Sequence, residues 1–304
     1  MEKYLTLSSI NEGMKTSIYT IIYIVAMTLM LASCGKKAAY EGERKRTIAV
    51  SIEPQRALAE AIAGDRFDVV TVLERGANPE TYEPSMSRRI DVDRSEAYLT
   101  IGAFNFEDMI IESDGRELKV YNSAAGIEPV KGTHSHGHEG YEHHGDDADP
   151  HVWSSYINAR IISRNIANAL SELDPEYAEV YRSRLDSLCA VIDKAENTFA
   201  DKIASAQSKS FLIWHPSLSY IARDYGLHQI AVGQESKEIS PRKLREIIDH
   251  AEADSVKVFF FQREFDSRQA ETISGRIGTR LVTIDPLAYD WMEQLNMIAD
   301  ELAK

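Results

Sequence analysis

Four residues, widely separated along the chain, carry the donor types of a divalent-metal site: Glu80, His151, His215 and Asp285. Two imidazole nitrogens and two carboxylate oxygens suit Zn(II), with Mn(II) or Fe(II) as harder alternatives. Each residue sits in a turn-forming segment: Gly76-Ala77-Asn78-Pro79-Glu80-Thr81-Tyr82-Glu83-Pro84, Asp149-Pro150-His151-Val152-Trp153, Trp214-His215-Pro216-Ser217 and Ile284-Asp285-Pro286-Leu287. Singly, an acid or histidine beside proline reads as a cap or turn residue. Together, four protein donors nearly saturate an ion, whereas catalytic zinc keeps three protein ligands and an open position. The set therefore points to holding a metal rather than turning a substrate over. If Glu80 is a plain turn residue, Glu83 or a water completes the site. Glu235 is a candidate supporting partner, although its surroundings also read as a polar loop. His228 reads as a structural residue at a strand entrance, and His250 as a partner for a helix C-terminus.

The elements that must present these donors follow from hydropathy periodicity. Strands are expected at 47–52, 67–73, 97–101 and 118–121, with helices at 55–63, 87–93, 104–111 and 155–170. The second half repeats the scheme, with strands at 211–214, 229–232, 256–261 and 281–284 and helices at 218–225, 241–253, 267–277 and 289–302. Alternating strands and helices place ligands beyond the carboxyl ends of the strands, and all four candidates fall there, two in each half. Between the halves, a stripe of Tyr177, Val180, Tyr181, Leu185, Leu188, Ile192, Ala195, Phe199 and Ile203 predicts one long helix over 175–206, about 48 Å long. Asp174 is expected to cap it and Pro175 to open it. Cys189 lies in this stripe and reads as a small buried hydrophobe.

From 122 to 150 the chain has no apolar periodicity, which is long for a loop in a compact domain. Five of the nine histidines, His134, His136, His138, His143 and His144, fall here, together with Asp146, Asp147 and Asp149, so the segment 132–148 is expected to capture metal as an auxiliary site. At the other end of the chain, fourteen uncharged residues from Ile18 to Leu31 are too few to span a bilayer but fit the apolar core of a signal peptide. They run into Ala32-Ser33-Cys34, which resembles a lipobox and implies cleavage before Cys34 and lipidation of its thiol. The polar residues 1–13 suit such a leader poorly, so a start at Met14 is expected. The expected division is thus a leader at 1–33, a lipidated tether at 34–45, a first lobe at 46–170, a linking helix at 171–208 and a second lobe at 209–304.

The segments around the four candidates resemble the metal-specific solute-binding lipoproteins of bacterial ABC importers, the zinc and manganese type. The family pattern Gly-x-x-Pro-His-x-Tyr-Glu-Pro is met by residues 76–84, with Glu80 where the family usually has a histidine. Asp149 to Trp153, Phe211 to Leu227, Gln234-Glu235, Ser240-Pro241 and Ile284 to Leu287 also match, and the likeness runs from about residue 46 to the end. The resemblance implies an α/β fold of two Rossmann-like (βα)4 lobes joined by one long rigid helix. It also implies a metal in the interlobe cleft and delivery of that metal to a membrane permease. Glu80 makes the donor set harder and favours Mn(II) or Fe(II), while the imidazole-rich loop and the affinity order favour zinc, which is the expectation adopted.

A formal charge of −14 argues against nucleic-acid binding. Because Glu2, Lys3, Glu12 and Lys15 cancel, loss of the leader leaves that charge unchanged. A monomer outside the cytoplasm, lipid-anchored to a membrane and without enzymatic turnover, is expected. Two other classes compete with it. An exported metallohydrolase would use Glu83 or Glu235 as base, but the chain lacks a His-Glu-x-x-His helix and a serine nucleophile motif. A metal-buffering or adhesive lipoprotein without a permease would bind several ions weakly through the histidine-rich loop.

Overall fold

A computed structural model describes residues 46–113, 118–131, 148–233, 239–265 and 267–304. The leader, Cys34, the five loop histidines and Glu235 lie outside the described residues.

Two four-stranded parallel sheets organise residues 46–304. The first contains β1 (Arg46–Val50), β2 (Phe67–Thr71), β3 (Ala97–Thr100) and β4 (Lys119–Asn122), in the order β2-β1-β3-β4. The second contains β5 (Ser210–Ile213), β6 (His228–Ala231), β7 (Val258–Gln262) and β8 (Arg280–Ile284), in the matching order β6-β5-β7-β8. Central strands β3, β5 and β7 are buried along their whole length, as expected of parallel strands covered on both faces. The helices are α1 (Glu53–Ala63), α2 (Met86–Asp93), α3 (Asn105–Ser113), α4 (Tyr156–Leu173), α5 (Ala178–Ser205), α6 (Ser219–Tyr225), α7 (Pro241–Ala253), α8 (Ser267–Ile277) and α9 (Trp291–Ala303). The expected α/β architecture and element order hold.

Local chemistry explains several boundaries. The side chains of Ser85, Ser155 and Ser240 accept the N–H groups of Arg88, Asn158 and Lys243, capping α2, α4 and α7. Gly226, with φ of 62°, takes the left-handed conformation that ends α6. Strand β7 starts later than its hydropathy suggests because Val256 donates to the carbonyl of Ala251 and so completes the end of α7.

The connector departs from expectation in two ways. Pro175–Tyr177 forms a separate 3-10 turn before α5, and Asp174 makes no side-chain cap. Its carboxylate instead receives Arg66 Nε at 2.6 Å and the Tyr181 hydroxyl at 2.9 Å, with Arg46 Nη1 at 3.1 Å. Charged donors outcompete a backbone cap at this position. In the predicted stripe, Tyr181, Ile192, Phe199 and Ile203 are buried, but Tyr177 and Val180 are exposed. Cys189 is only half-buried, and burial pushes its thiol up from the ordinary value.

Helix α5 packs against α1 and α4 of the first half and against α9 of the second. One continuous hydrophobic core therefore includes Ile48, Phe106 and Ile162 from the first half, Phe199 from the connector, and Phe211, Phe260 and Trp291 from the second. A smaller cluster around Phe259, Phe261 and Ile247 fills the far side of the second sheet. Separating the halves would expose the shared core, so the packing resists wide hinge motion. Among the described residues, no helix is long and apolar enough to cross a membrane.

Candidate metal centre

Glu80 follows β2, His151 precedes α4, His215 follows β5 and Asp285 follows β8. All four stand at the carboxyl-end face of their sheets, where the crevices of open parallel sheets form. The structure brings three of them together. One donor atom from each of Glu80, His151 and His215 lies within 4.8 Å of the others. The two Nε2 atoms are 3.2 Å apart, and Glu80 Oε1 is 3.3 Å from His215 Nε2 and 3.9 Å from His151 Nε2. Donors about 2.1 Å from a tetrahedral zinc ion stand about 3.4 Å from one another. Three largely buried lone-pair donors at that spacing repel unless a proton or a cation sits among them, so the geometry fits a small divalent ion.

Asp285 is outside this 4.8 Å set. Its Oδ1 accepts the Leu287 N–H at 3.2 Å, and its own N–H is held by Gln294 Oε1 at 3.0 Å. The loop carrying it is tied to the first half of the chain at two points. Trp153 Nε1 donates to the Pro286 carbonyl at 2.9 Å, and the Tyr289 hydroxyl donates to Glu60 at 2.7 Å. Glu83, the alternative donor, is likewise not among the residues brought together.

Each histidine is oriented from behind. Asp149 Oδ1 accepts both the backbone N–H of His151 and its ring Nδ1–H, each at 2.8 Å. With Nδ1 carrying the proton, Nε2 is left with its lone pair facing the cluster, the carboxylate–histidine arrangement common behind metal ligands. Burial works to raise the Asp149 carboxyl, but hydrogen bonds from His151 and Ser219 outweigh it and hold the group below its ordinary value. Asp149 thus stays an anion that favours a donor on Nδ1. The Tyr220 hydroxyl also binds the Asp149 carbonyl at 2.8 Å, so this support is anchored in the second half.

His215 is supported differently. Its backbone N–H donates to Gln262 Oε1 at 3.1 Å, Gln262 Nε2 donates back to the His215 carbonyl, and its ring lies against Phe265 with centroids 5.7 Å apart. Glu264, in the same turn, is raised above the usual carboxylate range by burial and further by Asp285, while His215 and His151 work against that rise. Sequence reasoning missed Gln262 and Glu264, because nothing marks them except their places at the end of a buried strand and two residues beyond it. The Asp149 support was legible only as part of a turn motif. Of the other histidines, His228 is exposed at the start of β6 and bonds Asp254 at 2.9 Å, consistent with a structural role.

Residues 48–304 match the family described as ZnuA, zinc-uptake complex component A, periplasmic. The zinc-binding lipoprotein AdcA of Streptococcus pneumoniae is 25% identical over 271 residues, covering 85% of this chain and 53% of that protein. The chain thus spans about half the length of this relative. Among solved structures, a zinc-bound 138–173 deletion mutant of ZnuA is 30% identical, with a TM-score of 0.76, over 85% of this chain and 96% of that one. FpvC of Pseudomonas aeruginosa, in complex with Mn2+, shares the fold at 23% identity with a TM-score of 0.72, over 86% and 98% of the two chains. A family match across both sheets and the connector, with the candidate donors on facing loops, makes this chain a member of the ZnuA family of zinc-uptake components.

Proposed function

We propose that the protein is an extracytoplasmic solute-binding protein that captures zinc in the cleft and passes it to an ABC permease, without chemical turnover. The observation that carries this reading is the approach of Glu80, His151 and His215, from opposite halves of the chain, to within 4.8 Å. Zinc enters as cargo, held by these three side chains, with Asp285 the fourth candidate ligand from its tethered loop. Two neutral imidazoles and two carboxylates leave the +2 ion formally balanced, so the cargo is buried without an uncompensated charge. Cys34 carries the lipid that holds the protein at a bacterial membrane, and the histidine-rich segment 132–148 binds auxiliary ions. The protein acts as a monomer. Because the ligands bind deprotonated, affinity falls as the pH drops and protons compete for both imidazoles.

Zinc titration of the stripped full chain against a chelator of known affinity tests this reading. The His151→Ala, His215→Ala double variant is expected to lose the tight site, by more than the roughly 10–100-fold typical of removing an outer partner. Full retention of the tight site rejects the cleft. Metal uptake in a deletion strain separates an importer component from a metal-buffering lipoprotein, since only the former restores uptake through a permease.

Glu80 supports a second reading, in which the same cleft serves Mn(II) or Fe(II), because an oxygen donor stands where the family pattern carries a histidine. Equilibrium competition between Zn(II) and Mn(II) on stripped protein separates the two, and retention of Mn(II) in preference to zinc favours the second.

A further inference from the structure

Parallel strands β5 and β7 sit side by side, and their last backbone rung is the Trp214 N–H to the Phe260 carbonyl at 2.9 Å. One residue further on, the chain turns away to present His215. At that point the side chain of Gln262 takes over the ladder. Its Oε1 accepts the His215 N–H at 3.1 Å, and its Nε2 donates to the His215 carbonyl and, at 2.9 Å, to Ser217 Oγ. Gln262 is fully buried, with 0% exposure. Its amide therefore meets both backbone groups of one residue, as the partner of the N–H and as a second donor to the carbonyl, which the Ser217 N–H also reaches at 2.8 Å; leaving the N–H unmade beside a buried side chain is costly. Pro216 further confines His215 to extended backbone. With the peptide groups on both sides fixed, the direction of the Cα–Cβ bond is fixed. The ring then needs only two torsions to bring Nε2 to its place 3.2 Å from His151 Nε2.

We propose that Gln262 is the positioning residue for His215, acting on the cleft solely by holding that histidine's backbone across the end of the second sheet. The inference rests on the reading that His215 is a zinc ligand. It adds a residue that touches no metal yet governs how well one is held.

The test is Gln262→Met in the full chain, with zinc affinity read by chelator competition. Affinity is expected to fall roughly 10–100-fold, the range for loss of an outer partner. The fall is expected in full in a His151→Ala background and not at all in a His215→Ala background. A fall of equal size when His215 is absent overturns the proposal, as does unchanged affinity in the otherwise native chain. Gln262→Glu is nearly isosteric, keeps an acceptor for the His215 N–H and, protonated by burial, keeps one donor, so it serves if the first variant fails to fold. A smaller fall with the same dependence on His215 is expected from it. In the metal-free protein, Gln262→Met is expected to move the nitrogen resonances of the His215 ring more than those of His151, whose Nδ1 stays held by Asp149, and unmoved His215 resonances reject the clamp. This last measurement decides the role of Gln262 even if zinc affinity proves indifferent to both histidines, an outcome that removes the zinc reading instead.

Discussion

The two sheets share one strand order, and their registers allow a residue-by-residue comparison. Val72 and Val232 donate to the carbonyls of Val50 and Ile213, so the ends of β1 and β5 correspond, and the next positions but one are Ile52 and His215. By the same register, Ile101 stands where Gln262 does and Ala124 where Asp285 does. The first sheet thus has apolar residues at the positions where the second has a candidate ligand, its clamp and a carboxylate. Its crevice is already full. Gln55, from α1, accepts the Ser51 N–H at 2.7 Å and donates to the Leu99 carbonyl at 2.9 Å and to Ser123 Oγ at 2.8 Å. The Glu107 carboxylate accepts four successive backbone N–H groups, from Ile101 to Phe104, at 2.6 to 3.2 Å. Gly102, with φ of 74°, supplies the left-handed turn on that path. The parallel fold makes a crevice in each half, but only the side chains that fill it decide whether it serves a ligand or the chain itself. In the first half the candidate donors come from outside the central pair of strands, on the loops after β2 and β4.

Transplanting the histidine gives the largest expected effect. Ile52 is fully buried, so Ile52→His puts an imidazole into apolar packing and is expected to cost about 2–4 kcal/mol, read from the denaturant midpoint, with no second tight zinc. A second tight zinc in that variant breaks the comparison. Gln55→Leu sharpens it, because it leaves Ser51 N–H and the Leu99 carbonyl without their partner. A loss of about 2–3 kcal/mol is expected, with zinc affinity of the folded protein within about threefold of native, the reverse of the behaviour expected at Gln262. A large affinity loss would mean that the first crevice also positions the metal.

The smallest effects concern the amino-end floors of the two sheets. Hydrogen bonds from Arg66, opposed by burial and helped by Tyr181 and Arg46, hold the Asp174 carboxyl below its ordinary value. Asp174→Asn is expected to cost about 2 kcal/mol near neutral pH. Because the folded-state value is depressed, this contribution is complete above the unfolded value of about 4 and is lost as pH falls through the folded one. The native protein and the variant should therefore converge in stability in acid. In the second half Asp254 is held low by Ser210 and His228, but it is exposed, so Asp254→Asn should perturb stability less than Asp174→Asn.

Much of this was legible in the sequence because it is local. Strand and helix succession follows apolar periodicity, Ser240-Pro241 marks the start of α7 and Gly226 the end of α6. His151 and His215 stood out because proline breaks follow a buried strand or precede a capped helix. What escaped is long-range. Gln262 meets His215 across forty-seven positions, and Trp153 meets Pro286 across one hundred and thirty-three. Asp174 read as a cap because its arginine partners lie far away in sequence. Asp285 read as an equal member of the donor set, yet its distance from the other three depends on tethers at Trp153 and Glu60 that no local pattern encodes.

The pairing of Lys131 with Ala148 in an isolated antiparallel bridge, next to the Asp149 N–H bond to the Val130 carbonyl at 2.8 Å, pins both stems of the histidine-rich insertion side by side. Closure of such a stem costs little more for a long insertion than for a short one, since the penalty grows only logarithmically with length. The segment hung from it is free to lengthen, shorten or change its imidazole count over evolutionary time while His151, three residues beyond the clasp, keeps its place.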